Sequence, residues 1–382
     1  MASEVRVNQI QNQSGLGTVT FYNSGQVFSG ITTVPSLYVT TVNDGPISGT
    51  RNRIINGDFR IDQRNAGVSV TPTTGQYTLD RWYSAMPVTS KYSVIRSGTA
   101  PTGFTSSFLA TSLSAYTVGA SETFNVQQVI EGYNVADLAW GTSSAQTVTI
   151  SFWVRSSLTG TFGGSIQNAT SNRSYPFSYS INSSNTFEYK TLTIPGDTTG
   201  TWPTDNTGSI TLIFSLGTGS TLSGTAGSWS GNGYRSVTGA TSVVGTNGAT
   251  FYLTGVQLEA GTTATAFERR SYGQELALCQ RYCYATYAPG VANSANQLVS
   301  LITGSTTRIP IPATPVQMRG TPSLTVYTSA SGGGSGTLVE FSSGTTKTVS
   351  STNINGPCGG GYHDITSLSN PVIYYGLFTA EL

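Results

Sequence analysis

Charge is the scarcest commodity in this sequence: 18 Lys+Arg and 17 Asp+Glu in 382 residues, 9% charged, against roughly 25% in ordinary globular chains. With a net charge of +1 and no basic stripe, nucleic acid is not expected as a partner, because the phosphate backbone is held by clustered Lys and Arg. A single histidine, His363, leaves too few ligands for a zinc site, and three cysteines are too few for a disulfide framework. Cys279 and Cys283 lie one helical turn apart, and Cys358 sits in "GPCGGGYH". Unbridged thiols are the simpler reading, and a bridge from Cys358 to one of the other two is the alternative. No apolar run approaches the ~20 residues of a membrane span. The start, "MASEVRVNQIQNQSG", has neither the basic nor the apolar region of a signal peptide. The 45 glycines show no three-residue period, which excludes collagen.

What remains is Ser, Thr, Asn and Gly around alternating apolar residues, a surface of hydroxyls and amides of the kind found on extracellular or particle-surface β proteins. In "QTVTISFWVRS", Val148, Ile150, Phe152 and Val154 alternate with Thr147, Thr149, Ser151 and Trp153, the period of two that marks a strand with one face in a core. "SITLIFSLG" repeats the pattern with Ile210, Leu212, Phe214 and Leu216, and "TFEYKTLTIP" and "ATFYLTGVQLEAG" are further strands. No helical pattern lies between them, so residues 51–270 are expected to form an antiparallel β-sandwich or jelly roll. Residues 1–50 hold too little apolar material to fold alone and read as an attachment or oligomerisation arm. The fold class is therefore all-β.

One stretch breaks the grammar. "FERRSYGQELALCQRYCY" gathers Glu268, Arg269, Arg270, Glu275 and Arg281. Ser271 with Gln274 fits a capping box, and Tyr272, Leu276, Cys279 and Cys283, widened by Leu278 and Tyr282, fit one helix face reaching toward Tyr287. The helix is expected to join two β domains and to pack on the one that follows. Residues 271–382 then comprise this helix and a small β domain, with prolines 310, 312, 315 and 322 at sheet edges or in extended connections and "SASGGGSG" and "GPCGGGYH" as flexible loops.

Three segments carry a resemblance. "RNRIINGDFRIDQRNAG" with "LDRWY" resembles the opening of jelly-roll modules in bacteriophage tail-fibre proteins. "FYLTGVQLEAGTTATAFERRSYGQELALCQRYCY" is similar to the junction that closes that module, and "IPATPVQMRGTPSLTV" with "GLFTAEL" resembles the tips of the same proteins, those of cyanophage and marine phages above all. The match spans roughly residues 51–382, and the "NGDF…W" opening also resembles carbohydrate-binding modules of polysaccharide-degrading enzymes. The resemblance implies a virion protein made in the host cytoplasm and carried on the tail: a homotrimer docked to other tail proteins through its N-terminal arm, touching host surface polysaccharide such as lipopolysaccharide. A capsid-decorating or tail-assembly protein and a polysaccharide-degrading spike are the alternatives.

A sugar site needs aromatic faces with hydroxyls, amides or carboxylates beside them. Trp82 in "LDRWY" reads as core. Trp153 points away from the core and faces solvent or whatever covers the outer sheet. Trp140, Trp202 and Trp229 lie in loop contexts, where each either plugs the end of the sandwich or meets ligand. Trp229 with Tyr234 leads, and Trp202 with Asp205 and Asn206 follows. Tyr362, His363 and Asp364 read as surface or satisfied residues, or as receptor contacts at a fibre tip. No nucleophile elbow accompanies His363. A glycosidase would need a carboxylate pair such as Glu131 and Asp137, but no acidic cluster stands out, so the chain is expected to be no enzyme and to need no cofactor. A structural Ca²⁺ near Asp58 or Asp80 is compatible with the sequence and demanded by nothing in it.

Overall fold

In a computed structural model of the chain, the described residues are 9–11, 18–22, 25–29, 41–42, 45–46, 51–73, 75–286, 298–300, 306–328, 335–340, 346–368 and 372–382. They fall into two compact units, Met1–Val42 and Asn43–Leu382. In the first, Gln9–Gln11, Thr18–Tyr22 and Gly25–Ser29 make an antiparallel meander. Of the rest of the proposed arm only the short strands Thr41–Val42 and Gly45–Pro46 are described.

The second unit opens with the expected antiparallel sandwich. Its strands are β1 (Gln76–Leu79), β2 (Trp82–Ala85), β3 (Tyr92–Ser97), β4 (Ser107–Ser112), β5 (Thr123–Glu131), β6 (Val148–Ser156), β7 (Gly160–Asn168), β8 (Ser174–Ile181), β9 (Glu188–Ile194), β10 (Gly208–Thr218) and β11 (Thr250–Ala260). One sheet runs β8–β7–β10–β5–β2–β1, and the other runs β9–β6–β11–β4–β3. Alternation decides which face of each strand is dry. Val148, Ile150, Phe152 and Val154 are each 0% exposed, while Trp153 and Arg155 are turned outward. Across the interior Phe152 meets Phe214 at 5.0 Å and Tyr179 at 5.0 Å between centroids, both edge to face. Each such buried ring contributes roughly 1.5–3 kcal/mol by leaving water.

The motif at Asn52–Phe59 is a set of backbone clips. Asn52 accepts from the Ile54 and Leu258 amides (2.9 and 3.1 Å) and donates to the Val256 carbonyl at 3.1 Å, so it takes the place of a strand partner for β11. Asn56, at φ 57°, accepts from Ile61 N at 3.0 Å and donates to Asp80 O at 3.0 Å, while the Trp82 indole donates to its carbonyl at 3.0 Å. Gly57 is required because a Cβ there would stand 2.2 Å from the Val256 carbonyl oxygen. Trp82 is 0% exposed, as its place in the motif implies, and packs on Phe59 at 4.8 Å.

The helix, α1, spans only Tyr272–Gln280. The capping box is present: Ser271 Oγ accepts from Gln274 N at 3.3 Å, and Gln274 Oε1 accepts from Ser271 N at 3.1 Å. The helix does not reach Tyr287, because Cys283–Ala285 is drawn into a strand (β12) against the last strand of the chain. Its apolar side also differs from expectation. Cys279, Leu276, Leu278 and the following Tyr282 pack with Ile55 and Ile61, from the opening of the sandwich.

The C-terminal sheet adds β13 (Leu298–Ser300), β14 (Thr306–Ala313), β15 (Ser323–Tyr327), β16 (Thr337–Glu340), β17 (Thr346–Ile354), β18 (Gly359–Leu368) and β19 (Val372–Thr379). Its order is β12–β19–β16–β17–β18–β14, with β13 and β15 also paired to β19. Pro310 and Pro312 lie in β14, which among the described residues pairs with β18 alone, so the missing N–H groups leave no ladder bond unmade there. The "GGG" expected to be loop is the start of β18, where Gly359, Gly360 and Gly361 take φ of 65°, 75° and 133°. "SASGGGSG" lies almost wholly outside the described residues. Cys279 and Cys283 are buried and Cys358 is exposed, all as free thiols.

Candidate functional site

The outer face of the five-stranded sheet carries an aromatic cleft of about 530 Å³. Trp153 on β6 stands directly opposite Tyr189 on β9 in the strand register, and their rings tilt at 47° with centroids 5.3 Å apart. Phe104 and Phe267 close the other side, edge to face at 5.3 Å, with the exposed Arg269 guanidinium 4.6 Å above the Phe104 ring. Trp153, Phe104 and Phe267 are half-buried and Tyr189 is 44% exposed. The cleft exists because β11 bulges here: the register passes from Ser151↔Gln257 to Trp153↔Thr254, and Gly255 sits at φ 61°. A Cβ at Gly255 would lie 2.7 Å from Phe104 and 3.2 Å from Trp153, so only glycine lets both rings close over the backbone.

This face continues past the cleft. Arg155 lies 4.8 Å from the Tyr252 ring centroid and 5.7 Å from that of Phe187. A flat indole beside a phenol and the two guanidinium groups make a surface that stacks on C–H faces and donates hydrogen bonds. It places no pair of carboxylates across a bond. Tyr189, Phe104, Phe267 and Arg269 are not among the ligand contacts the sequence suggests. Tyr189 needs the β6–β9 register, and the others arrive from a loop and from the chain after β11.

The other sequence-predicted residues are placed elsewhere. Trp140, Trp202 and Trp229 form a mutual edge-to-face triad, with centroids 4.8, 5.4 and 5.7 Å apart, packed on the sandwich core. Trp202 is 7% exposed, and its indole N–H donates to Thr199 O at 3.1 Å. That of Trp229 donates to Pro195 O at 2.8 Å. Half-buried Trp229 also meets Tyr175 at 5.3 Å. Tyr234 packs against Gly224, where a Cβ would come within 2.4 Å of its ring. Asp205 is exposed and accepts from its neighbour Thr207, which holds its carboxyl below the usual range. Asn206 turns toward Arg319, donating to its carbonyl at 3.2 Å. Tyr362 is half-buried with Arg308 4.3 Å over its ring. His363 is 0% exposed, which removes its side chain from any surface contact. Its Nδ1 bonds Thr352 Oγ1 at 2.9 Å, its ring stands edge-on to Tyr374, and burial pushes its pKa down to about 4.

No known family's sequence profile matches the chain, and no curated protein matches it. Partial likeness to solved structures is found. The enzymatically active domain of tailspike protein 4 from bacteriophage CBA120 aligns with 55% of this chain and 21% of its own, at 15% identity and a TM-score of 0.31. TmCBM61 in complex with β-1,4-galactotriose aligns with 56% of this chain and 100% of its own, at 11% identity and 0.29. The family 11 carbohydrate-binding module of Lic26A-Cel5E from Clostridium thermocellum aligns with 52% and 98%, at 13% and 0.25. The chain thus spans about a fifth of that tailspike domain. At scores of this size the likeness says nothing of ligand or activity, which rest on the residues themselves.

The carboxylates considered for catalysis or metal binding have other partners. Glu131 is 1% exposed and receives Arg281 through two bonds (2.9 and 2.5 Å) and the Tyr282 hydroxyl at 2.6 Å. Asp137 pairs with Arg53 at 2.5 Å. Asp58 pairs with Arg60 at 2.5 Å. Asp80 takes the Gln63 backbone and side-chain N–H groups, each at 2.6 Å, and burial raises its pKa to about 6. Among the described residues no group of three or more His, Cys, Asp and Glu could hold a metal.

Proposed function

We propose that this chain is a virion surface protein, a tail fibre or receptor-binding protein, that holds host-surface glycan of the lipopolysaccharide class in the Trp153 cleft without cutting it. One observation carries the reading: a half-exposed indole faces an exposed phenol across a cleft held open by a glycine bulge, on a face that also carries the Arg155 and Arg269 guanidinium groups. Contiguous aromatic rings left partly in water on a rigid sheet mark a binding surface, where a single exposed ring would not. Pyranose C–H faces stack on aromatic rings, and Arg269 lies within the same cleft to donate to ring hydroxyls. The resemblance of the "NGDF", junction and tip segments to phage tail-fibre proteins supplies the virion part of the proposal. A non-catalytic role fits the engagement of Glu131 and Asp137 by arginines.

The test is a panel of bacterial surface oligosaccharides titrated against the whole protein. At least one should bind, and Trp153→Ala should weaken it at least tenfold, about 1.4 kcal/mol, with unchanged thermal unfolding. Reducing ends should not accumulate during incubation. Absence of any binder, or equal binding by the variant, sinks the assignment. A capsid-decorating or tail-assembly protein would leave the cleft unused and label elsewhere on intact particles.

A further inference from the structure

A second cleft, of about 630 Å³, lies on the outer face of the other sheet. Tyr77 on β1, Tyr83 on β2 and Gln127 on β5 stand in one row across it, and register therefore puts their side chains on the same face. Ser121 and Thr123 line one end, and Arg235 enters from the loop between β10 and β11.

Arg235 is the charged side chain of this cleft. Its guanidinium donates to Gln127 Oε1 at a long 3.4 Å, and among the described residues it has no carboxylate partner. Arg53, Arg60, Arg64, Arg81, Arg173, Arg270 and Arg281 each meet an acid. Arg155 and Arg269 lie over aromatic rings, and Arg319 donates to three carbonyls. Arg235 does none of these, yet it is half-buried, and loss of water depresses its pKa. No side chain lining the cleft is acidic. The nearby Glu122 is held by the Tyr116 hydroxyl and Gly119 N, and the Leu382 carbonyl by the Tyr77 hydroxyl. A guanidinium taken partly out of water with no ion pair of its own is destabilising, and an arriving anion would relieve it.

We infer that this cleft binds an oxyanion, a carboxylate or a phosphate, carried on a polar ligand of sugar size. The guanidinium fork matches two oxygens of such a group. Gln127, Ser121 and Thr123 supply polar contacts around it, and the Tyr83 ring supplies a flat wall. The site is independent of the Trp153 cleft and lies on the opposite sheet.

Glucuronate, inorganic phosphate and glucose are titrated into the full chain by calorimetry. Saturable binding of glucuronate or phosphate is expected, weakened at least tenfold in Arg235→Gln and unchanged in Trp153→Ala, with glucose inert toward the Arg235 substitution. Preference for glucuronate assigns the anion to an acidic saccharide, and preference for phosphate to a phosphorylated one. No oxyanion binding with a Kd below about 10 mM, or equal binding in Arg235→Gln, overturns the inference. Arg235→Met supplies a second reading without ligand: its thermal midpoint should equal or exceed that of the wild type, because only the long bond to Gln127 and no ion pair is lost. A clear loss of stability would give Arg235 a structural role and likewise overturn it.

Discussion

Gly255 shows how one residue sets the candidate site. At φ 61° and within 2.7 Å of the Phe104 ring for an added Cβ, it permits both the bulge and the closure of the aromatic wall. Gly255→Ala should destabilise the protein by about 1 kcal/mol or more and push Phe104 outward, weakening glycan binding; an unchanged denaturation midpoint would contradict this. A glycine inside "FYLTGVQL" announces a bulge in sequence, and the parity of Trp153 announces an outward ring. The neighbours that turn this ring into a cleft do not announce themselves, because Phe104 and Tyr189 reach it only through tertiary register. His363 misled in the other direction: a lone histidine after three glycines reads as loop, but β18 carries it into the core. Its pKa is 6.5 when unfolded and about 4 when folded. The unfolded chain therefore takes up a proton that the fold refuses, and stability is lost as pH falls from about 6.5 toward 4. The full effect is about 3 kcal/mol. Comparing wild type with His363→Gln by urea unfolding at pH 7 and pH 4.5 measures it, and equal slopes would refute the assignment.

Among the elements, the charged run around α1 answers for itself. Glu268 accepts from Asn52 N at 2.8 Å, Glu275 from Asn56 N at 2.5 Å, Arg270 from its NH1 donates to Ile54 O at 3.1 Å, and Arg281 holds Glu131. The first three satisfy backbone atoms of residues 52–56, a segment that is in no strand among the described residues, so the helix and the run before it lock the opening of the sandwich. The capping box was legible because it is local. The helix end was not: Tyr282 and Cys283 keep an apolar helical period, but the pull of β19 on Cys283–Ala285 overrides it. Removing the cap with Ser271→Ala should cost about 1 kcal/mol, read from the denaturation midpoint.

At the scale of the whole molecule, one buried cluster ties the chain's last residues to the sandwich. Glu381 pairs with Arg64 at 2.7 Å and with Arg81, which is 1% exposed and lies 3.6 Å over the Tyr282 ring. Glu381→Ala would leave Arg81 a buried, unpaired cation, and a loss of about 3–5 kcal/mol is expected; a change under 1 kcal/mol in urea titration would contradict it. The all-β class was readable from period-two strands and the lack of crossover helices, since both are properties of the chain itself. What the outer face of the sandwich holds is the central claim. Proton–nitrogen spectra of the indole groups test it most directly, because Trp82, Trp140, Trp202 and Trp229 donate to backbone carbonyls inside the protein. On adding a bound oligosaccharide, the signal lost in Trp153→Phe should move and the other four should hold. Movement of the Trp140, Trp202 and Trp229 signals with Trp153 unmoved would place the glycan at the end of the sandwich and contradict the account.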